Sequence, residues 1–480
     1  MAMGRRKPRQ ESLFIPADRL TSSAGHPFYQ KLNDLLAEAD FDRWIERRCV
    51  AYYEQEEKRG QPSIPPGVYV RMLLVGYFEN IDSQRGIAWR CADSLSLRQF
   101  LGVPLDEGTP DHSTMTNTRK RLPSDVFEEV FQFVLSIAAA KKLLSGKTVG
   151  VDSTTLEANA AMKSIVRRDT GEDWKAYVTR LMREDGVIGA DVQPTDEDIR
   201  RFDKKRKNKK VSNEDWKSKT DADARIAHMK DGTTHLAYKA EHVVDLKSDL
   251  VLAAEIYPAN QADTATLGDS VMAAQLHLRA AGSAAVIDEA AADKGYHAAA
   301  TIELCDFLDV RTYIPEPKRR HPLTLSDKPA ADRRAVMANR RRMKRVKGKA
   351  LQRRRSEVVE RTFAHICETG GSRRSWLRGL VNVTKRYLMA AAAHNLGRIL
   401  RRLFGVGKPK VLQGASGLAG LAQMPCACLG TALERSLVEL ARRIEPWRRF
   451  LGINRMQPAT RARAGKMPYL NGLLIMCEPR

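Results

Sequence analysis

Three acidic residues, each in a short segment of its own, are the side chains of this chain best suited to hold metal ions. Asp152 lies in TVGVDSTTLEAN, Asp293 in AAADKGYHAAA and Glu360 in SEVVERTFAHI. Two aspartates and a glutamate that a fold brings together can bind a pair of Mg²⁺ ions, which promote displacement at a phosphodiester. The three segments therefore predict metal-dependent chemistry on a nucleic acid, with Mg²⁺, or Mn²⁺ in its place, as the cofactor.

Each acidic segment also contains residues that would compete for the same role. These are Glu157 in the first segment, Asp288 and Glu289 in the second, and Glu357 in the third. An aspartate near a strand end is most often a turn former, and a glutamate in a basic helix is most often a surface ion partner. Residue type and spacing leave these alternatives open.

The net charge of the chain favours a polyanionic partner. Lys and Arg number 81 against 58 Asp and Glu, which gives a formal charge of +23 and a pI near 9.8. Such an excess indicates binding to nucleic acid, although a solvated basic surface is the simpler alternative. Because no apolar run approaches about 18 residues, we expect a globular protein that does not enter a membrane and that acts in the cytoplasm, associated with the nucleoid.

The elements that must position the acidic residues divide the chain into successive parts. Helical periodicity covers residues 26–145, after an arm that we expect to be basic and mobile at 1–25. From 146 the order is strand, hairpin, helix, strand, helix, strand, which predicts an α/β fold with a mixed sheet flanked by helices. Asp152 ends one strand and Asp293 follows another, at a sheet edge where ligands usually bind. Glu360 lies on a helix that can close the site.

One helix of the N-terminal part has the composition of a DNA reader. Asp111 or Ser113 can cap it and Pro123 ends it. Its exposed side is predicted to carry Thr114, Asn117, Arg119, Lys120 and Arg121. A capped basic helix that follows another helix across a tight turn is typical of a helix-turn-helix motif, and an ordinary surface helix is the equal alternative.

Two charged segments interrupt the sheet-containing part. Residues 162–230 are predicted to be a solvated insertion, partly helical and mobile, without a motif. Residues 318–355 are strongly basic and include Arg340, Arg341 and Arg342. So charged a stretch cannot bury itself, so we expect a loop or an exposed helix that a phosphate backbone neutralises. Lys294 places a further cation beside Asp293.

The three motifs together resemble the DDE transposases of bacterial insertion sequences, which have a ribonuclease H-like catalytic core. Asp152 in VGVDSTTLEANA, Asp293 in ADKGYH and Glu360 in VERTFAH match that family's acidic segments in order, and FIPADRL to TRKRLP is similar to its helical N-terminal domain. The resemblance implies a DNA-binding domain at 26–145, a DDE catalytic domain at 146–407, and a tail of unknown role at 408–480. It selects Glu360 over Glu357.

The resemblance also assigns roles to residues. It implies that Asp152, Asp293 and Glu360 ligate the catalytic metals. It implies phosphate or transposon-end contacts for Arg361, Arg373, Arg374, Arg378, Lys385 and Arg386. Where the related Tyr-Arg-Glu-Lys signature has Arg and Lys, this chain has Ser356 and Cys367, and Arg355 or Arg353 is a substitute for the missing arginine.

The function that the resemblance implies is transposition. Such a protein binds double-stranded DNA at terminal inverted repeats, as a homodimer in a synaptic complex, and catalyses Mg²⁺-dependent cleavage and strand transfer by two-metal in-line displacement. One alternative is a two-metal nuclease that cuts without joining. The other is a non-catalytic DNA-binding repressor derived from a transposase.

Overall fold

The computed structural model describes residues 25–53, 63–207, 212–229, 232–318 and 325–412. All of them belong to one compact unit. The predicted arm at 1–25 and the tail at 408–480 lie outside these ranges, apart from Gly25 and residues 408–412. No helix in the described ranges is long and apolar enough to cross a membrane.

The first part of the chain is helical, as predicted. Its helices are α1 (Pro27–Glu38), α2 (Phe41–Cys49), α3 (Pro66–Glu79), α4 (Gln84–Asp93), α5 (Leu95–Leu101), α6 (His112–Arg121) and α7 (Ser124–Ala140). Leu32, Leu35 and Leu36 of α1 repeat at helical spacing and are buried. Pro66 starts α3, where its missing N–H and fixed φ cost nothing.

Helix α6 forms where the sequence places it, but the tight turn before it is absent. Asp111 caps the helix by accepting the Ser113 N–H at 3.0 Å. Residues 102–111 separate α5 from α6, whereas a helix-turn-helix motif has a turn of about three or four residues. The guanidinium of Arg98 holds this connection by donating to the carbonyl of Pro104 at 2.6 Å. The prediction of a tight turn was therefore wrong.

Strands and helices then alternate along the chain. The strands are β1 (Thr148–Glu157), β2 (Ile165–Arg167), β3 (Trp216–Ser218), β4 (Arg225–His228), β5 (Thr234–Asp245), β6 (Val251–Pro258), β7 (Glu289–Ala291) and β8 (Arg311–Tyr313). The helices are α8 (Trp174–Glu184), α9 (Asp196–Lys205), α10 (Asp263–Ala280), α11 (Ala299–Phe307), α12 (Ala330–Lys344), α13 (Val346–Phe363) and α14 (Leu380–Phe404).

The main sheet has the order β6, β5, β1, β7, β8, with β4 also paired to β5. β1, β5 and β6 are antiparallel neighbours, whereas β7 runs parallel to β1 and β8 runs parallel to β7. Helices α10 and α11 make the crossovers that parallel pairs require. This is the strand order of a ribonuclease H-like sheet, so the predicted mixed α/β fold after an all-α region is confirmed.

The helical part and the sheet share one hydrophobic core. Helix α14 is buried along most of its length and packs against α7 and β6. The side-chain amide of Asn395 brackets the backbone of Val251, donating to its C=O at 2.8 Å and accepting its N–H at 2.9 Å. These bonds hold strand β6 on the helix that follows the third acidic segment.

The charged insertion contains more structure than its composition predicts. Helices α8 and α9 enclose a small core of Val178, Met182 and Ile199, while β2 pairs with β3. Thr195 and Asp198 form a capping box at the start of α9. The prediction of a solvated, mobile segment missed this core in the described part, because its few apolar residues are spread among many charges.

The basic stretch forms α12 and the first half of α13, so the exposed-helix alternative holds for much of it. Residues 319–324 lie outside the described ranges. Asn339 is fully buried and brackets the backbone of Ile314. Arg355 is only 7% exposed, so the prediction that this stretch stays in solvent was wrong at that residue.

Candidate active site

Asp152 lies in the middle of β1, beside Asp293, which follows the last residue of β7 by two positions. The prediction that Asp152 ends its strand was wrong, because pairing with β5 extends β1 to Glu157. The register pairs Gly150 of β1 with Ala291 of β7, and each aspartate follows its paired residue by two positions. Neighbouring strands are about 4.8 Å apart. The sheet therefore brings together two carboxylates that are separated by most of the catalytic region in sequence.

The carboxylate of Asp152 is held from two directions. Its Oδ2 accepts from Nη1 of Arg355 at 2.7 Å, and its Oδ1 accepts the N–H of Ser153 at 2.8 Å. Burial raises the pKa of Asp152; the charge of Arg355 opposes this shift, whereas the negative charge of Asp293 adds to it. The side chain is 23% exposed. A cation bound to this carboxylate would offset both the cost of burying its charge and its repulsion by Asp293.

Asp293 begins a tight turn immediately after β7. Its Oδ1 accepts the N–H of Gly295 at 2.6 Å and thereby caps the 3₁₀ turn Lys294–Tyr296. Lys294 is exposed at this turn, as the sequence predicts, whereas Tyr296 is buried. The carboxylate is thus fixed by its own turn, with an exposed cation beside it.

Helix α13 crosses the sheet directly over β1 because residue 150 is glycine. A Cβ on Gly150 would lie 2.7 Å from Cδ2 of Leu246 and 3.0 Å from Cγ2 of Val359. The close approach lets Arg355 reach Asp152 from the helix. At the other end of the crossing, Gln352 donates to the carbonyl of Ala292 at 2.9 Å, next to Asp293.

Glu360 follows Val359 on this helix, and its side chain is exposed. It lies on the i, i+4 row that starts at Gln352 and continues through Ser356, so it shares a helix face with the residue that contacts Ala292. No hydrogen bond or ion pair is assigned to Glu360 within the described part of the chain. Its carboxylate is therefore available to a ligand.

The C-terminal end of α13 is anchored to the strand next to β1. His242 is opposite Asp152 in the β1–β5 register. Its Nδ1 bonds Oγ1 of Thr362 at 2.8 Å, its Nε2 bonds the hydroxyl of Tyr387 at 2.8 Å, and its ring stacks on Phe363 with centroids 4.0 Å apart. Burial lowers the pKa of His242 to about 3. This neutral imidazole fixes the helix that carries Glu360.

The competing acidic residues have partners inside the protein. Glu289 is buried and accepts from the hydroxyls of Thr148 and Tyr313 at 3.0 and 2.9 Å. Glu357 pairs with Arg354 and Arg361 on the surface of α13. Glu157 and Asp288 occupy other positions: Glu157 lies 3.7 Å from Arg374 at the far end of β1, and Asp288 precedes β7. Glu289, Glu357 and Glu157 are therefore engaged by other side chains of the protein.

The residues that stand in place of the signature Arg and Lys have defined positions in the structure. Ser356 accepts a hydrogen bond from Nη2 of Arg355 at 3.1 Å. Cys367 is buried in the π-helical segment Ala364–Thr369, 3.7 Å from the hydroxyl of Tyr387. Arg355 is the arginine that reaches the site, whereas Arg353 is exposed. Of the two substitutes that the sequence offered, the structure brings only Arg355 to an acidic residue of the site.

Several predicted DNA contacts remain accessible. Lys120, Lys294, Arg341, Arg374 and Arg378 are exposed. The guanidinium of Arg374 stacks 5.1 Å from the ring centroid of the half-exposed Trp376. Arg340 is partly exposed and pairs with Glu316 at 2.8 Å. These cations can meet a phosphate backbone without unfolding a contact in the core.

Other predicted contacts are committed to protein atoms. The ammonium of Lys385, 5% exposed, donates to the carbonyl of Leu122 at 2.7 Å and to that of Arg119 at 3.2 Å. Arg342 donates to the carbonyl of Thr312 at 2.9 Å. Lys385 therefore holds the C-terminal end of α6 instead of facing solvent.

A similar commitment applies to the remaining arginines. Arg121 lies over the ring of Tyr53, Arg361 pairs with Glu357 and Asp249, Arg373 bonds Thr154 and Glu368, and Arg386 bonds the carbonyl of Gly371. Arg119 is half-buried, and its Nε has no hydrogen-bond partner among the described residues. The predicted exposed side of α6 holds for Asn117, Lys120 and Arg121, whereas Thr114 and Arg119 are only partly exposed.

Sequence reasoning missed a second group of charged residues beside the site. Lys239, Glu241 and Asp263 lie behind β1, on the face away from α13. The signal was present in HLAYKAEHVVD, where Lys239 and Glu241 occupy alternate positions of a strand. Alternation of this kind places both charges on one buried face.

The donor set fits hard divalent cations. Carboxylate oxygens are the ligands that Mg²⁺ prefers, and the mutual repulsion of Asp152 and Asp293 leaves a net negative charge for a cation to neutralise. Within the described ranges, no group of three or more His, Cys, Asp or Glu side chains is close enough to form a ready-made metal site. Asp152 and Asp293 are adjacent, whereas Glu360 does not complete a three-residue cluster with them.

The fold and the site together define a class: a helical region followed by a ribonuclease H-like sheet, with one acidic residue within the strand β1 and another just after the adjacent strand β7. Two family models match the chain, a transposase domain (DUF772) at residues 16–121 and a transposase DDE domain at residues 315–400. Both matches support an insertion-sequence transposase of the DDE type. The second match contains Glu360, whereas Asp152 and Asp293 lie outside both. No match was found among curated proteins or among solved structures.

Proposed function

We propose that this transposase binds the terminal inverted repeats of an insertion sequence and catalyses Mg²⁺-dependent DNA cleavage and strand transfer. The observation that carries the proposal is the register of the adjacent parallel strands β1 and β7, which puts Asp152 and Asp293 side by side beneath the helix that bears Glu360. Both DNA ends must be joined to one target, so we further propose that the chain acts as a homodimer in a synaptic complex. The site of action would be the nucleoid.

Asp152, Asp293 and Glu360 would hold the metal ions in this proposal. Two bound Mg²⁺ ions supply activation of a water or a 3′-hydroxyl and neutralise the charge of the leaving oxygen. Arg355 orients the carboxylate of Asp152 through the 2.7 Å bond. Lys294, exposed beside Asp293, would neutralise a phosphate oxygen near the scissile bond.

The exposed cations near the acidic residues would bind DNA. Lys294 follows Asp293, and Arg374 lies 3.7 Å from Glu157 at the end of β1, with Arg378 four residues further along the chain. Lys120 of α6 and Arg341 of α12 would bind phosphates further along the duplex. Lys385 is left out of this surface, because its ammonium is bound to the carbonyls of Arg119 and Leu122.

The proposal is tested by neutralising each acidic residue in the full-length protein. Asp152→Asn, Asp293→Asn and Glu360→Gln should each lower Mg²⁺-dependent cleavage of labelled terminal-repeat DNA by at least about 10³-fold, since a ligand to the catalytic metals is lost. End binding, measured by gel shift in EDTA, should change little. Glu357→Gln, one turn away on the same helix, is the matched control and should retain cleavage.

The products decide between this function and its alternatives. Strand-transfer products on a target duplex support a transposase, whereas cleavage without joining would leave a nuclease. Metal-independent binding with no cleavage in Mg²⁺ or Mn²⁺ would leave a DNA-binding repressor. Full strand transfer by Asp293→Asn would contradict the assignment of the metal ligands.

A further inference from the structure

A network of buried polar side chains lies directly behind the acidic pair. Successive residues of a strand point to opposite faces, so Ser153 points away from α13 when Asp152 points towards it. The hydroxyl of Ser153 donates to Oδ1 of Asp263 at 2.9 Å. The ammonium of Lys239 bonds the same oxygen at 2.7 Å. The start of α10 is thereby tied to the residue next to Asp152.

The same network reaches the segment of Asp293. Glu241, which is fully buried, accepts from the hydroxyl of Tyr296 at 2.8 Å and from that of Thr266 at 2.7 Å. Its carboxylate also lies 3.2 Å from Nζ of Lys239. Tyr296 ends the 3₁₀ turn that Asp293 caps. Lys239 therefore connects both acidic segments through two carboxylates. We call Ser153, Lys239, Glu241, Asp263, Thr266 and Tyr296 the support network.

Packing around Gly295 brings the support network close to the acidic pair. A Cβ on Gly295 would lie 2.9 Å from Oδ2 of Asp263 and 2.9 Å from Oδ1 of Asp293. The carboxylates of Asp263 and Asp293 are thus neighbours on either side of this glycine. A displacement of Asp263 would press on the turn that fixes Asp293.

A buried ionic network of this kind costs desolvation and is weak evidence for stability alone. Its physical effect is to fix geometry, because the bonds that Ser153, Thr266 and Tyr296 donate to the two carboxylates form together only in one arrangement. Metal ligands need such fixing: outer partners that orient them alter metal affinity by about 10- to 100-fold when removed. The support network contacts the residue after Asp152 and the turn after Asp293. On the opposite face, Arg355 and Gln352 bond each other and link Asp152 to the carbonyl of Ala292.

We propose that the support network sets the separation of Asp152 and Asp293, so that Ser153, Lys239, Glu241, Asp263 and Tyr296 are positioning residues for divalent-cation binding. The inference rests on the proposed function, since it assigns a role to residues that surround the proposed metal ligands. It goes beyond that function by placing the control of metal affinity on the opposite face of β1.

The test removes one hydroxyl at each end of the support network. Ser153→Ala and Tyr296→Phe, alone and combined, should each raise the Mn²⁺ dissociation constant of the full-length protein about 10-fold, as measured by electron paramagnetic resonance. The Mg²⁺ concentration for half-maximal cleavage should rise in parallel, while cleavage at saturating Mg²⁺ stays within about 3-fold of wild type.

Matched controls come from a neighbouring pair outside the support network. The hydroxyls of Tyr257 and Ser270 bond each other at 3.0 Å, and Lys239 lies 5.8 Å from the ring centroid of Tyr257. Tyr257→Phe and Ser270→Ala should leave the Mn²⁺ dissociation constant unchanged. Circular dichroism and thermal unfolding of every variant separate altered binding from loss of fold.

The possible results are distinct. A rise in the dissociation constant that is confined to Ser153→Ala and Tyr296→Phe supports the inference. Unchanged Mn²⁺ binding in both variants overturns it, whether or not cleavage falls, and leaves the proposed function intact if Asp152→Asn abolishes binding. If Asp152→Asn leaves Mn²⁺ binding at the wild-type level, the proposed function is overturned as well.

Discussion

The two faces of β1 around Asp152 differ in how their carboxylates are held. On the face towards α13, Asp152 is partly exposed and repelled by Asp293, and Arg355 is its only ionic partner among the described residues. On the face towards α10, Lys239 lies between Asp263 and Glu241, and the hydroxyls of Ser153, Thr266 and Tyr296 donate to these two carboxylates. Each face has one cation for two carboxylates, but on the face towards α10 both carboxylates also accept hydrogen bonds from side-chain hydroxyls.

This difference indicates which residues hold the metal-binding carboxylates in place. A surface that must bind cations has to keep uncompensated negative charge, which costs stability. The rigidity that holds those carboxylates must come from elsewhere, and here it comes from residues one position along the strand. Substitutions on each face separately test this difference.

The largest effect is expected from Lys239→Met. Removal of the ammonium leaves Asp263 and Glu241 without their shared cation, and breaking a buried ion pair by deleting one partner costs about 3–5 kcal/mol. The free energy of unfolding from urea denaturation in EDTA should fall by this amount. Arg355→Met is the counterpart on the open face and should cost about 1–2 kcal/mol, because Asp152 can still reach solvent. Equal losses would remove the distinction between the faces.

A smaller effect is expected where α13 touches β1. Gly150→Ala places a methyl group 2.7 Å from Leu246 and 3.0 Å from Val359, so the Leu246 side chain must move and α13 must give slightly at Val359, at a cost of about 1–3 kcal/mol. Because the helix carries Glu360 and Arg355, cleavage should fall more than thermal stability does. Gly108→Ala, where a Cβ has open space, should change neither quantity. Normal cleavage by Gly150→Ala would show that the closeness of α13 is not required.

The smallest effect concerns the pH dependence of stability. The pKa of Asp152 is raised in the folded protein, chiefly by burial, so its contribution to stability is present below the ordinary aspartate pKa and is lost as pH rises through the folded value. In EDTA at pH 8, Asp152→Asn should therefore be slightly more stable than wild type, and the gap should close near pH 3. Urea denaturation at both pH values measures it, and a gap that widens on acidification would contradict the raised pKa.

Several features of this fold could be predicted because they depend on local pattern. Helix α1 follows from the spacing of its leucines, the start of α3 follows from its prolines, and the cap of α6 follows from Asp111. The strand before Asp152 and the turn after Asp293 were visible in the same way. Each of these signals lies within a few residues, so no knowledge of distant contacts is needed.

Other features required contacts between distant segments. The sequence predicts a tight turn before α6, whereas the structure has a longer connection that Arg98 holds in place. The insertion hides its core because Val178 and Ile199 meet only when two helices fold together. The sequence predicts that Lys385 is a surface cation, whereas in the folded chain its ammonium donates to a carbonyl at the end of α6.

The sequence by itself determined the types of the acidic residues, their order, and the strands and helix that carry them, because these depend on side-chain chemistry and short-range periodicity. Only the tertiary structure decided that Gly150 and Ala291 share a register, that Arg355 meets Asp152, and that Lys239 supports both strands from behind. Sheet register and buried ion pairing join residues far apart in the chain. Their energies depend on distance and burial, which only the folded chain defines.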